Sequence, residues 1–489
     1  MKRLLLGNFF LRIGAHFAER VAGLVIVPIL IANVGIVGYG YYGLANGIIL
    51  LFVNIVCLRF PMAMIRFFPS RRADAGSVVS AGLLYWAAFS AVTALVLALE
   101  SDRLAESVFA NAAQARLLVL AACAGLLATL YEFVSVTLRA ENRFGIVSVI
   151  DAAERALFVI ACVLAFAAGH TTVEGVLLVL LATTALKIVV VAAPSLAHIR
   201  LSLPSLPQIR EMFVFCLPFL PHLASVWLIE RGPFFFVALE MSTEATGIFT
   251  LAFTLAALLT AVIVPLQATL YPMLGRAYDD GRIDDVRELN RLALRLTLSF
   301  TVFATISLTL GTRPLLSMLD MGEATPPRPL LLVLCLAFVA AAVRQIVMNT
   351  IHVEKRTSVL LWTAPLGALA AALCFVSLIT RMGLVGAAIG MLVGTVVQVA
   401  AMLPRVSKSL LAGLSPAYVT ALLGSALGAL AVQLVALRLG ELPYVFGIIL
   451  SGLVYGLVHY SWGGLSADEK RAVRAGVERY VRVLWRPAR

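Results

Sequence analysis

Arg12, His16, Glu19 and Arg20 stand at positions i, i+4, i+7 and i+8 of one apolar stretch, which puts four ionisable groups on a single helix face. Asp151, Glu154 and Arg155 repeat the arrangement at i, i+3 and i+4. Glu230 and Arg231 are adjacent, Glu132 and Lys187 stand singly, and Arg344 is followed by Gln345, Asn349 and His352. Guanidinium is the side chain best matched to phosphate, and carboxylates in apolar surroundings often exchange protons or cations. These residue types therefore point to binding and transport of a charged group. A competing reading is structural: adjacent pairs such as Glu154 and Arg155 cannot face one another on one helix, so Glu and Arg on different helices could pair and pin a bundle. The number of faces that must turn inward favours a hydrated cavity for the set as a whole.

Covalent chemistry finds no support. No P-loop, H-E-x-x-H or nucleophile-elbow pattern occurs, and six scattered His residues form no metal cluster. Gly38, Gly40 and Gly43 satisfy G-x-G-x-x-G, but no strand precedes them and no acidic residue follows about 20 positions on, so dinucleotide binding is rejected. Cys57, Cys123, Cys162, Cys216, Cys335 and Cys374 are isolated in apolar stretches and read as small core residues. No metal, cofactor or enzymatic activity is expected.

The elements that position these charges follow from composition. Of 489 residues 61% are hydrophobic and 13% charged, against about 25% charged in soluble domains, and mean hydropathy is +0.99. The chain is expected to be an all-α polytopic membrane protein; ten-residue alternating strands, the mark of a barrel, do not occur. Runs of about 20 apolar residues give fourteen spans, at 9–32, 39–58, 79–99, 114–138, 146–168, 172–194, 212–238, 245–273, 292–312, 329–351, 358–380, 382–403, 415–437 and 442–461. Each ionisable group inside a span costs roughly 2.5–3.5 kcal/mol at its centre, so it needs a partner or water.

With the N-terminus inside, 26 of the 38 Lys and Arg residues fall in inner segments, six at the outer side and six within spans. That asymmetry places both termini in the cytoplasm. It also accounts for the net charge of +12 without nucleic acid. The N-terminal stretch is expected to be a retained first helix, because Arg12, Glu19 and Arg20 interrupt any signal-peptide core. Outer loops are short, the longest running from Gly311 to Arg328. After Leu465, Val473, Val477, Tyr480, Val481 and Leu484 alternate with five Arg residues, which reads as a basic interfacial helix on anionic inner-leaflet lipids.

An internal repeat is visible. Glu19-Arg20 precedes Gly40-Tyr41-Tyr42-Gly43-Leu44-Ala45 much as Glu230-Arg231 precedes Gly247-Ile248-Phe249-Thr250-Leu251-Ala252. Six spans per repeat make a parallel duplication with a two-fold axis along the membrane normal, and a site between the halves. Expected organisation is an N-lobe at 1–195 (spans 1–6), an inter-lobe linker at 196–211, a C-lobe at 212–404 (spans 7–12), two further spans at 405–463 and the basic tail at 464–489.

The Arg-bearing first span, Gly38-Tyr39-Gly40-Tyr41-Tyr42-Gly43-Leu44-Ala45, Met64-Ile65-Arg66-Phe67-Phe68, Pro265-Leu266-Gln267-Ala268-Thr269-Leu270-Tyr271-Pro272 and Gly383-Leu384-Val385-Gly386-Ala387-Ala388-Ile389-Gly390 together resemble a known family. It is the polysaccharide transport family of the multidrug/oligosaccharidyl-lipid/polysaccharide exporter superfamily, which includes Wzx-type O-antigen flippases. The resemblance covers about residues 5 to 405. It implies two six-helix lobes plus two helices, rocking to move a polyprenyl-diphosphate-linked oligosaccharide across the bacterial inner membrane. Family cavities use basic residues on spans 1, 2 and 7, matched here by Arg12, Arg20, Arg59, Arg66 and Arg231.

The expected substrate-binding set is thus Arg12, His16, Arg20, Arg59, Arg66, Arg155, Lys187, Arg231, Gln267, Arg344 and Asn349. Glu19, Glu132, Asp151, Glu154 and Glu230 are expected to couple ions or form salt bridges. Expected partners are the lipid-linked glycan, membrane lipids, a polysaccharide polymerase and glycosyltransferases. The alternative function is a cation-coupled multidrug antiporter of the same superfamily; the Arg content argues for an anionic cargo. A membrane glycosyltransferase or ligase would need a large outer loop or soluble domain that the chain lacks.

Overall fold

The computed structural model describes residues 2–68, 75–141, 143–197, 199–406, 414–462 and 464; for 2–22, 24, 144, 262, 268, 269 and 323 it describes the backbone path alone. The side chains of Arg12, His16, Glu19 and Arg20, and the tail from Leu465 on, lie outside the described residues. Seventeen α-helices and no strand occur among the described residues.

The first two expected spans run together as α1 (Lys2–Leu51), which breaks its helical path at Gly35 with φ 73° and ψ 173°. That φ strains any residue with a Cβ, so the glycine permits the turn. A π-helical segment, Phe52–Val56, follows. Leu58 and Arg59 then take left-handed φ values of 50° and 54° before Pro61 opens α2 (Phe60–Phe67). The chain continues with α3 (Ala75–Phe109), α4 (Ala115–Val134), α5 (Val136–Ala140), α6 (Phe144–Ala167) and α7 (Val173–Leu196). Next come α8 (Leu206–Cys216), α9 (Leu220–Glu240), α10 (Thr243–Ala256), α11 (Thr260–Asp279) and α12 (Ile283–Ser317). The chain closes with α13 (Arg328–Val353), α14 (Leu360–Met382), α15 (Leu384–Met402), α16 (Pro416–Leu439) and α17 (Glu441–Ser461). Hydroxyls of Thr172, Ser205, Ser242 and Ser415 accept hydrogen bonds from the N–H groups three residues on, capping α7, α8, α10 and α16.

Among the described residues 11 helices are long and apolar enough to cross a membrane, or up to 12 when α10 and α11, bent by 41°, count as one span. This is fewer than the fourteen expected. The helix α6 is as apolar as its neighbours but carries three charged residues, Asp151, Glu154 and Arg155, which keep it out of the count. Of α1, only Val25–Val56 lies among the residues counted. The chain is a multi-pass, all-α membrane protein.

Contacts divide the chain into one unit of Met1–Gly275 with Glu323–Val406 and another of Arg276–Gly322 with Ser407–Arg489. In the first, α1 crosses α10 at close range. A Cβ on Gly40 would stand 2.3 Å from the Thr243 carbonyl oxygen, and one on Gly247 would stand 2.0 Å from that of Ile36. The contact is reciprocal: one offset, 207 residues, relates Gly40 to Gly247 and Ile36 to Thr243. Such isologous contact is what a local two-fold axis produces, and it puts the repeated motifs face to face. Small residues let two backbones approach where lipid offers no hydrophobic drive. The glycines that mimic a nucleotide fingerprint therefore serve helix packing. Further on, Gly383 turns the chain between α14 and α15 with φ 59°.

The second unit holds α12, α16 and α17, joined by polar side chains. Gln433 donates to the hydroxyls of Ser307 (2.8 Å) and Ser451 (2.9 Å) and accepts from Tyr444 (3.0 Å). Nearer the other end, Ser299 meets Tyr418 and His459, at 3.0 and 3.1 Å. Both clusters satisfy buried groups across helices, as an apolar surrounding requires.

Candidate binding cavities

Within the first unit, α1 and the π-helical segment after it carry Tyr39, Tyr42, Asn46, Leu50 and Asn54 at spacings of three and four. Two cavities lie along this stretch. The first, about 290 Å³, is bordered by Asn54, Arg59, His222, Glu230, Arg231 and Arg344. The second, about 230 Å³, is bordered by Tyr39, Tyr42, Asn46, Arg155, Arg231 and Thr254, among others. Arg231 belongs to both. Its guanidinium lies 4.7 Å from the Phe253 ring centroid and 5.6 Å from that of Phe234, a cation–π setting that holds charge beside apolar rings. Trp227 donates to the Gly47 carbonyl at 3.1 Å and pins α9 to α1. The Tyr39 and Thr254 hydroxyls, 3.1 Å apart, join α1 to α10.

The first cavity is cationic with an internal counter-charge. Arg344, 8% exposed, donates to Glu230 at 2.7 Å and to Gln398 at 3.3 Å. The pair ties α13 to α9, and Gln398 adds α15. Arg59 reaches this cavity from its left-handed position after the π-helical segment. Backbone held in sparsely populated conformations clusters at functional sites, and here it aims a guanidinium between α9 and α13.

Other predicted residues lie elsewhere. Lys187 is 2.8 Å from Asp151 and 3.7 Å from Glu154, and its ammonium lies 3.9 Å from the Tyr131 ring centroid. Tyr131 donates to Asp151 at 2.6 Å, and the Thr183 hydroxyl donates to Glu154 at 3.4 Å. This network joins α4, α6 and α7; Lys187 borders neither cavity. Glu132 is held by Arg139, which donates from both terminal nitrogens, one at 3.0 Å. Burial alone would lower the Arg139 pKa, but Glu132 raises it above the ordinary guanidinium value. Arg66 lies over Phe215 at 5.0 Å. Asn349 donates to Gln267 at 2.6 Å and accepts from Gln345 at 3.0 Å, a buried polar chain from α13 to α11.

The structure thus gathers Arg59, Arg155, Glu230, Arg231 and Arg344 at the cavities. It places Arg66, Lys187, Gln267, Asn349, Glu132, Asp151 and Glu154 in contacts between helices. Tyr39, Tyr42, Asn46, Asn54 and His222 went unpredicted. The helical spacing of Tyr39, Tyr42 and Asn46 on α1 was a readable signal for three of them; Asn54 follows in the π-helical segment, and His222 stands alone in its stretch. Among the described residues, no group of three or more His, Cys, Asp or Glu is disposed to hold a metal ion. The arrangement can bind an anion and surround it with neutral polar groups.

A family model described as polysaccharide biosynthesis protein matches residues 5–278. No curated protein sequence matches the chain. Solved structures are similar. The lipid II flippase MurJ in an inward closed conformation gives a TM-score of 0.74 at 14% identity, covering 92% of this chain and 98% of that one. The Vibrio cholerae MATE transporter VcmN in its bent form gives 0.54 at 15% identity, covering 83% and 97%. An inward-facing multidrug resistance MATE family transporter of the MOP superfamily gives 0.54 at 15%, covering 81% and 93%. At such identities the likeness is one of fold.

Proposed function

Because the chain belongs to the polysaccharide biosynthesis protein family, we propose that it is a flippase for a polyprenyl-diphosphate-linked oligosaccharide. The glycan is an O-antigen or other cell-surface unit, carried from the cytoplasmic to the outer face of the inner membrane. One observation carries the reading: Arg59, Arg231 and Arg344 border one cavity inside a membrane-spanning unit, with Glu230 as the carboxylate among its described lining. Guanidinium in low dielectric suits a diphosphate.

In this reading the lipid-linked headgroup is received from the cytoplasmic side, where the positive-inside bias puts Arg59. The diphosphate competes with Glu230 for Arg344, and the two lobes rock about the α1–α10 crossing. The polyprenyl tail stays in the bilayer, since each CH₂ moved into water would cost about 0.8 kcal/mol. The Arg-rich sequence after Leu465 attracts anionic inner-leaflet lipids, and a polymerase and glycosyltransferases handle the product and supply the substrate. Glu230 at the cavity is the feature that favours the second reading, a cation-coupled multidrug antiporter.

Replacing both Arg59 and Arg231 with Ala tests the choice. In proteoliposomes, the double variant is expected to lose at least tenfold in translocation of a short-chain prenyl-diphosphate glycan while eluting as wild type does. Unimpaired translocation would refute the assignment, and wild-type movement of organic cations but not of the glycan would establish the antiporter.

A further inference from the structure

The two cavities share Arg231 but differ in chemistry. The first sets three guanidiniums against Glu230. The second offers the neutral donors and acceptors of Tyr39, Tyr42, Asn46 and Thr254, with Phe158, Phe234 and Phe253 as ring faces. Hydroxyl and amide groups beside aromatic surface suit a sugar, whose edge is polar and whose C–H face is apolar. A volume of about 230 Å³ equals the liquid share of about seven or eight waters, the scale of a single sugar residue.

Charge narrows the choice of sugar. Arg155 and Arg231 both border the second cavity, and no carboxylate is among its described lining. The Arg155 side chain is 43% exposed, whereas that of its neighbour Glu154, 3.9 Å away, is 5% exposed. Lys187 also contacts Glu154, at 3.7 Å. Glu154 therefore keeps a cationic partner when Arg155 turns to a ligand. Arg231 also borders the diphosphate cavity, so Arg155 is the cation that the second cavity offers to the sugar alone.

We infer that the second cavity is the subsite for the sugar joined to the diphosphate, and that this sugar is acidic, of the uronate type, with Arg155 and Arg231 facing its carboxylate. The inference rests on the flippase reading above. Arg231 then lies where phosphate and sugar meet, and Arg155 selects the sugar.

The test uses the full-length protein in nanodiscs and three probes: farnesyl diphosphate, farnesyl-diphospho-glucose and farnesyl-diphospho-glucuronic acid. Wild type is expected to bind the glucuronyl probe about tenfold more tightly than the glucosyl one, the scale of one charge-assisted contact. In Arg155→Gln the ratio is expected to fall towards one, and in Arg155→Lys to recover in large part. Equal wild-type affinities for both glycosyl probes would overturn the acidic-sugar assignment while leaving the flippase reading in place. A preference that survives Arg155→Gln would equally overturn it. Failure of all three probes to bind would overturn both readings.

Discussion

Arg344 and Lys187 answer the same electrostatic problem in different places. A lone charge in a span costs roughly 2.5–3.5 kcal/mol on insertion scales, and each of these cations meets a carboxylate, Glu230 at 2.7 Å and Asp151 at 2.8 Å. The Arg344 pair borders a cavity, so a ligand can reach it; the Lys187 pair is closed by Tyr131 and Thr183. Lys187→Met should therefore act on stability. Breaking a buried pair costs about 3–5 kcal/mol, and the low end is expected because the Asp151 side chain is 36% exposed. Thermal unfolding in detergent should show a clearly lower midpoint, and an unchanged one would remove the network from the list of stabilising contacts. In-span charges were legible in the sequence one by one. Which carboxylate each would meet was not, because partners such as Lys187 and Asp151 sit on different helices and no spacing rule joins them.

At the scale of elements, the α1–α10 crossing brings the cavity-lining residues together. Gly40 and Gly247 approach backbone of the facing helix within what a methyl group would fill. Gly247→Ala would force the helices apart, at about 1–3 kcal/mol for overpacking, and move Tyr39 relative to Thr254. Gly275→Ala is the control, since nothing lies within 4 Å of the added atom and relief of a mid-helix glycine favours the fold by about 0.5–1 kcal/mol. Circular dichroism melts should therefore shift in opposite directions; a neutral Gly247→Ala would show the crossing to be looser than its geometry. The repeat was visible in the sequence as two short motifs. Their meeting face to face was not, because a duplication specifies similarity and leaves contact to packing. The left-handed pair Leu58 and Arg59 was equally hidden, since neither residue type favours that conformation.

For the whole molecule, the distribution of Lys and Arg makes orientation testable. Cysteine introduced at exposed Arg103 should react with a membrane-impermeant maleimide in intact cells, and cysteine at exposed Arg282 only after permeabilisation. Labelling in the reverse order would invert the topology, and with it the side from which Arg59 is reached. Cys57, Cys162, Cys216 and Cys335 are buried, so background from them should be low.

The sequence by itself determined the solvent of this protein, its helical class, its charge asymmetry and the existence of inward-facing polar groups. Each of these is a sum or a period along one chain: apolar length, residue spacing, counts of Lys and Arg. Tertiary structure alone divided the charged residues, sending Arg59, Arg155, Arg231 and Arg344 to cavities and Lys187, Asp151 and Glu132 to ion pairs. That division turns on distances between helices far apart in sequence. Whether a guanidinium lines a cavity or only braces the bundle depends on which groups the neighbouring helices bring around it.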